Sequence, residues 1–250
     1  MVQATKAPPE IRYYWEIEQG TDEWYALRRG VITASTIGVF ATATGKPANN
    51  DTSRTAIYKL LAERITGESG PSFYNDDMAR GHLLEPGART LYAEHTGHEV
   101  RECGFVTRRI KGIQLGYSPD GLVGDDGLIE IKAPRQKKHL AAMLANEMPP
   151  EYIPQVQTGL AVTGRAWADF ISYAPGLPLF IKRVKRDEIT IAQLVLAAQA
   201  AEEQLARLML LYEKAAEQFP ATEYVEVKIP PRTTPAALAA GINPDSIELF

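Results

Sequence analysis

The residues best suited to chemistry lie in one segment, Ser118-Pro119-Asp120-Gly121-Leu122-Val123-Gly124-Asp125-Asp126-Gly127-Leu128-Ile129-Glu130-Ile131-Lys132. An aspartate at a turn precedes a short strand carrying Glu130 and Lys132. Side chains alternate along a strand, so Glu130 and Lys132 share one face while Ile129 and Ile131 point to apolar packing on the other. A carboxylate and an ammonium then flank one spot, and Asp120, brought alongside, adds a second carboxylate. Hard oxygens of this kind, with the Ile131 carbonyl as a further one, suit Mg²⁺ or Mn²⁺. Such a group can hydrolyse a phosphodiester: the cation polarises the scissile phosphate and activates water, and Lys132 orients that water or offsets developing negative charge. The segment alone also has a plain reading, because Pro-Asp-Gly is an ordinary type I turn and Glu-x-Lys an ordinary exposed ion pair.

The elements that must position these residues follow from patterning. Thr21 before Asp22 and Glu23 predicts a helix start, Gly30 a stop, and Ser35 an N-cap for a second short helix after Val31-Ile32. Residues 41–54 read as a polar loop and 53–66 as a helix closed by Gly67. Asn75 can cap the next helix, which Pro86 should kink or restart, leaving Glu85 at a helix break. Strands are expected at 99–107, 112–117, 122–123 and 128–132, with turns at 119–121 and 126–127, which together form a β-meander. Helices at 136–147 and 150–163, strands at 167–173 and 179–184, and a long packing helix at 188–218 complete the pattern. That order predicts an α/β fold with a mixed central sheet flanked by helices. Residues 1–218 read as a single domain, and 219–250, with Pro220, Pro230, Pro231, Pro235 and Pro244, as an extended arm.

Composition sets the outer bounds. With 250 residues, 45% hydrophobic and 23% charged, the chain can bury a large core. No apolar run approaches the roughly 20 residues of a membrane span, and Met1–Glu10 lacks the order of a secretory signal, so no membrane partner and a cytoplasmic setting are expected. The one cysteine, Cys103, excludes an internal disulfide and any cysteine-clustered metal site, and reads as a small buried hydrophobe. A net charge of −4 argues against a nonspecific polycation, so any nucleic-acid site must be local. Basic runs occur at 101–111, at Lys132, Arg135, Lys137 and Lys138, and at 182–186, and only the second abuts the candidate chemistry. Gly45-Lys46-Pro47 lacks the spacing of a phosphate-binding loop, and the four histidines form no metal-binding pair.

Further residues join through a resemblance. Arg80-Gly81-His82-Leu83-Leu84-Glu85-Pro86-Gly87-Ala88-Arg89, followed by Tyr92 and Thr96-Gly97, resembles the acidic helix of the lambda-exonuclease-like viral recombinase nucleases, members of the PD-(D/E)xK superfamily. Glu18-Gln19-Gly20 with Trp24, Leu27, Arg28 and Gly30-Val31-Ile32-Thr33-Ala34-Ser35 is similar to the N-terminal signature of that family. Ser118-Pro119-Asp120-Gly121, and Tyr152 with Gln155-Val156-Gln157, follow in the same order, so the resemblance spans about Glu18 to Glu188.

The resemblance implies a restriction-endonuclease-like fold and an Mg²⁺-dependent enzyme, with two ions per site and Mn²⁺ as a substitute. The activity it implies is processive 5′-to-3′ digestion of linear double-stranded DNA carrying a 5′-phosphate, releasing mononucleotides and leaving a 3′-ended strand for recombination. Residue by residue, it gives Asp120, Glu130, the Ile131 carbonyl and Glu85 to the metals, Lys132 as the catalytic lysine, and Gln157 as completing the motif set. Arg28, Ser35, Ser118 and Gln157 fall where a 5′-phosphate pocket is implied, a sensible donor set because a guanidinium fork with hydroxyls and an amide matches phosphate oxygens. Trp24, Lys46, Arg135 and Lys137 are the DNA-contact candidates, Trp24 being readable either as a helix-face core residue or as a stacking surface for a terminal base. A ring-shaped homotrimer, a single-strand-annealing partner and a phage or prophage setting are likewise implied. Pro86 after Glu85 and the extension past residue 218 depart from the lambda-exonuclease pattern. The rival expectations are an endonuclease of the same fold and a noncatalytic DNA-end-binding module.

Overall fold

The computed structural model describes residues 11–69, 76–223 and 225. The chain divides into a unit Met1–Ala215 and a unit Ala216–Phe250. In the second, the described residues are the end of a helix and the chain to Glu223, with Val225, so the expected arm lies almost entirely outside the described residues.

The first unit runs β1 (Ile11–Tyr14), α1 (Asp22–Arg28), β2 (Ile32–Thr33), a 3₁₀ turn (Ile37–Phe40), α2 (Asp51–Thr66), α3 (Asp76–Thr96), β3 (Val100–Arg101), β4 (Phe105–Ile110) and β5 (Ile113–Tyr117). It continues with β6 (Gly121–Val123), β7 (Gly127–Lys132), α4 (Gln136–Ala145), a 3₁₀ turn (Pro150–Tyr152), α5 (Ile153–Thr163), β8 (Trp167–Ser172), β9 (Phe180–Lys185) and α6, which spans Glu188–Ala216. Most expected elements are present. β1 was not foreseen, and the expected strand 99–107 is two strands, β3 and β4, in different sheets.

The expected meander is likewise split. One sheet has the order β1-β4-β5-β2 and the other β3-β6-β7-β8-β9. The chain leaves the first sheet after Tyr117 and enters the second at Gly121, so Ser118-Pro119-Asp120 is the crossing. Proline has no N–H to continue a ladder. Asp120 Oδ2 instead accepts the N–H of Ile131 at 2.6 Å, a side-chain bond standing where a backbone bond would otherwise extend β6. β7 and β8 are parallel, and the connection between them contains α4 and α5; the second sheet is therefore mixed.

β7 is buried on both faces. Leu128 joins the main core with Tyr117, Val156, Leu160 and the inner face of α6, whereas Ile129 and Ile131 pack with Ala88 and Tyr92 of α3. The inner face of α6 runs Ile191, Leu194, Val195, Ala198, Ala201 and Leu205, a 3.6-residue stripe with alanine at two of these six positions. The larger apolar residues Ile189, Leu196 and Leu211 point outward instead.

Pro86 does not interrupt α3, contrary to expectation, and Glu85 is therefore not at a helix break. The ring sits on the exposed side of the helix, where water can satisfy the carbonyl that proline leaves without a donor, and the next turn is fixed by burial of Ala88 and Tyr92. α2 begins at Asn50, which makes a reciprocal capping box with Ser53, and ends at Gly67 in the left-handed conformation. The predicted Asn75 cap lies outside the described residues.

Candidate active site

A cleft of about 730 Å³ opens where α1, α3, the Ser118–Asp120 crossing, the end of β7 and the start of α5 meet. Its walls include Trp24, Arg28, Ser35, Glu85, Ser118, Asp120, Ile131, Lys132, Arg135, Lys137, Tyr152 and Gln155.

The acidic wall is built on β7. Glu130 is completely buried beneath the cleft floor. Its Oε1 accepts from Lys132 Nζ at 2.6 Å and from Gln155 Nε2 at 2.5 Å, and its Oε2 accepts from the Tyr117 hydroxyl at 3.0 Å. The predicted shared face of Glu130 and Lys132 is thus a direct ion pair. Glu85, added to the same wall from α3, accepts from Arg89 at 2.6 Å. Arg89 also donates to the Asp120 carbonyl at 2.8 Å and pairs with Glu102 at 2.7 Å, tying α3 to the crossing loop.

These carboxylates act on each other. Burial, reinforced by the charges of Glu130 and Glu85, pushes the Asp120 carboxyl well above its usual range. Burial also raises Glu85, in spite of Arg89 beside it. Burial alone would lower the Lys132 ammonium, but Glu130 and Asp120 more than offset it and hold the lysine above its ordinary value, fully protonated at neutral pH.

Whether a divalent cation fits can be judged from this chemistry. Among the described residues no three His, Cys, Asp or Glu side chains form a ready-made cage. Mg²⁺ does not require one, since it commonly takes one or two carboxylates together with waters and substrate phosphates. The crowding of Asp120, Glu85 and Glu130 is a concentration of negative charge that a cation would relieve, and all three offer hard oxygen. The donor set therefore fits a hard divalent ion.

The basic wall is built on α1. Arg28 Nη1 donates to Ser118 Oγ at 2.8 Å and Nη2 to Ser35 Oγ at 3.3 Å. The indole N–H of Trp24 also reaches Ser118 Oγ, at 2.9 Å, and the Arg28 guanidinium lies over the Trp24 ring, 4.2 Å from its centroid. Burial lowers Arg28 to about 10, which leaves it charged at neutral pH. A stacked guanidinium with two hydroxyls is a donor cluster aimed at oxyanions. Ser35 was expected to cap a helix; the 3₁₀ turn instead starts from Thr36 with no side-chain cap bond, and Ser35 serves the Arg28 cluster. Trp24 combines its two sequence readings, being half-buried yet part of the cleft wall.

Gln157 does not join either wall. It is buried, donating to the Lys185 carbonyl and accepting from the Asp187 N–H, and so fastens α5 to the end of β9. Residues two apart on a helix point about 200° apart, so only one glutamine of Gln155-Val156-Gln157 can face the cleft. Tyr152 lines the cleft and Gln155 lies three residues on, on the same side, a spacing that points to Gln155 in place of the expected Gln157. Lys46 is exposed on a turn closed by Thr42 and does not line the cleft. Arg135 pairs with Asp77 at 2.9 Å at the rim. Sequence reasoning also missed Tyr117 and Arg89, whose roles depend on contacts between elements.

His139 is a core histidine held by Ser172 and the Pro178 carbonyl, and Cys103 is buried. Arg108 and Arg186, from the other two basic runs, donate to the Ala161 and Leu160 carbonyls at the end of α5.

The comparisons agree with this geometry. Residues 23–166 match the model of the YqaJ-like viral recombinase domain. The structure is similar to that of an alkaline exonuclease from Laribacter hongkongensis, with a TM-score of 0.71 and 38% identity over 80% of this chain and 100% of that one. The same exonuclease in complex with dAMP matches with a TM-score of 0.70 at 38% identity, over the same shares of both chains. A phage-related exonuclease from Haemophilus somnus 129PT, 15% identical, with a TM-score of 0.55 over 77% of this chain and 98% of that one, shares the fold. A comparison with curated protein sequences gave no match. The fold is restriction-endonuclease-like, with Glu130 and Lys132 on the mixed sheet, and the chain belongs to the YqaJ-like viral recombinase family of lambda-exonuclease-like nucleases.

Proposed function

We propose that this nuclease is a Mg²⁺-dependent exonuclease that removes mononucleotides from phosphorylated 5′ ends of linear duplex DNA, moving 5′ to 3′. The observation that carries the reading is the pairing of an acidic, lysine-bearing wall with an Arg28–Ser35–Ser118 donor cluster in one cleft, joined through the two-residue step from Ser118 to Asp120. A divalent cation bound there supplies positive charge to the scissile phosphate and acidifies the attacking water. Asp120, Glu130 and the Ile131 carbonyl would hold it, with Glu85 as an additional carboxylate. Lys132, held protonated against Glu130, orients the water and offsets charge growing on the phosphate. Arg28 and the two serines grip the terminal phosphate, which fixes the distance from the chain end to the reacting bond. Arg135 and Lys137 at the rim provide phosphate contacts for the duplex. The dAMP bound to the Laribacter relative has the form of the product expected here.

The remaining parts of the reading are a homotrimeric ring, which reconciles a net charge of −4 with DNA binding by confining positive residues to a channel, and a single-strand-annealing partner for the 3′-ended product. We place the enzyme in the cytoplasm of a host bacterium, encoded by a phage or prophage. The test is digestion of a linear duplex labelled separately at each 5′ end and each 3′ end, beside a closed circle. Early loss of 5′ label as mononucleotide with the circle intact supports the reading; nicking of the circle replaces it with an endonuclease, and binding without cleavage with an end-binding module.

A further inference from the structure

Glu130 receives three donors, and they are unequally placed. Lys132 and Gln155 share Oε1, whereas Oε2 is held by Tyr117 alone among the bonds described, and all three side chains line the cleft. Tyr117 is 1% exposed and its ring belongs to the main core. The ring fits because α5 has glycine at 159: a Cβ there would lie 2.8 Å from Tyr117 Cζ, inside contact distance. A carboxylate has about four lone-pair directions, so three donors leave about one for a cation. For Glu130 to reach a cation from beneath the floor, the carboxylate must keep its orientation, whichever oxygen it offers. Only the Oε2 contact comes from a side chain locked in the core.

We infer that Tyr117 is a positioning residue that anchors Glu130 by Oε2 and so fixes the orientation in which the carboxylate meets the cation, and that Gly159 is the space that permits this anchor. The inference rests on the reading of Glu130 as a metal ligand. Tyr117→Phe removes one buried oxygen and little volume, and loss of a hydrogen bond to a charged group corresponds to about a tenfold effect. The expected result is a kcat about tenfold lower, with the KM for DNA ends unchanged. The Mg²⁺ concentration for half-maximal rate should rise about tenfold, and calorimetric titration of the DNA-free protein with Mn²⁺ should show correspondingly weaker binding. Gly159→Ala, which keeps the hydroxyl but displaces the ring, should weaken Mn²⁺ binding in the same direction, and it carries the test if Tyr117→Phe does not fold. Wild-type Mn²⁺ affinity and kcat in a folded Tyr117→Phe protein, or wild-type Mn²⁺ affinity in Gly159→Ala, overturns the inference. The calorimetry needs no DNA cleavage, so a failure of the exonuclease reading and a failure of this inference give different results.

Discussion

The two walls of the cleft solve opposite electrostatic problems. On the acidic wall, burial together with the charge of neighbouring carboxylates raises the proton affinity of Asp120 and Glu85. On the basic wall, Arg28 is stacked on Trp24 and bonded to serine hydroxyls, neutral acceptors that leave its positive charge available to an incoming anion. On the function proposed above, one wall would receive a cation and the other a phosphate. The difference teaches that, if the proposed function holds, cutting and end selection should be separable even though Ser118 and Asp120 are two residues apart, because each wall would answer to a different ligand.

The strongest break in the comparison comes from the acidic wall. Asp120→Asn and Lys132→Ala are each expected to lower the cleavage rate by about a thousandfold or more, measured in single turnover with Mg²⁺. Asp120→Asn should at the same time raise the melting temperature of the metal-free protein. The sign follows from linkage: a carboxyl whose pKa is raised by folding stabilises the fold below its unfolded value near 4, and this contribution is lost as pH rises through the folded value. Wild type and Asp120→Asn should therefore melt alike near pH 4 and diverge toward pH 8, with Mg²⁺ narrowing the gap by raising wild type. A gap that shrinks with rising pH contradicts the crowded-carboxylate account.

On the basic wall, Arg28→Ala should reduce the preference for 5′-phosphate over 5′-hydroxyl ends by about ten- to a hundredfold in kcat/KM, leaving Mn²⁺ affinity untouched. An unchanged preference removes Arg28 from the end pocket. The rate of wild-type cleavage should fall toward acid pH as protons compete for Asp120 and Glu85, whereas the end preference should hold, since Arg28 stays charged across that range. The smallest contrast is between the glutamines. Gln155→Ala should slow cleavage by about fivefold with little change in melting, and Gln157→Ala should lower stability by about 1–2 kcal/mol with cleavage retained.

What was legible in the sequence had short-range causes. The alternation in Leu128–Lys132 predicted a strand with Glu130 and Lys132 on one face, and helix ends at Thr21 and Gly67 followed from capping chemistry. What was missed depends on tertiary placement. Pro86 was expected to break α3, but its ring faces solvent and the turn beyond it is held by Ala88 and Tyr92. The meander divides between two sheets because Asp120 bonds the Ile131 N–H at the crossing, a contact that patterning does not encode. Helix phase, set by where α5 docks, turns Gln155 to the cleft and Gln157 to the Lys185 carbonyl. Tyr117 read only as the end of a strand, since nothing local says that its hydroxyl meets Glu130.

The most direct test of the two-wall account is the single-turnover release of the 5′-terminal nucleotide from a linear duplex bearing either 5′-phosphate or 5′-hydroxyl, in Mg²⁺ and in chelator. Fast release from the phosphorylated end, slow release from the hydroxyl end and none in chelator is the predicted result. Equal release from both ends, or release that survives the chelator, contradicts it.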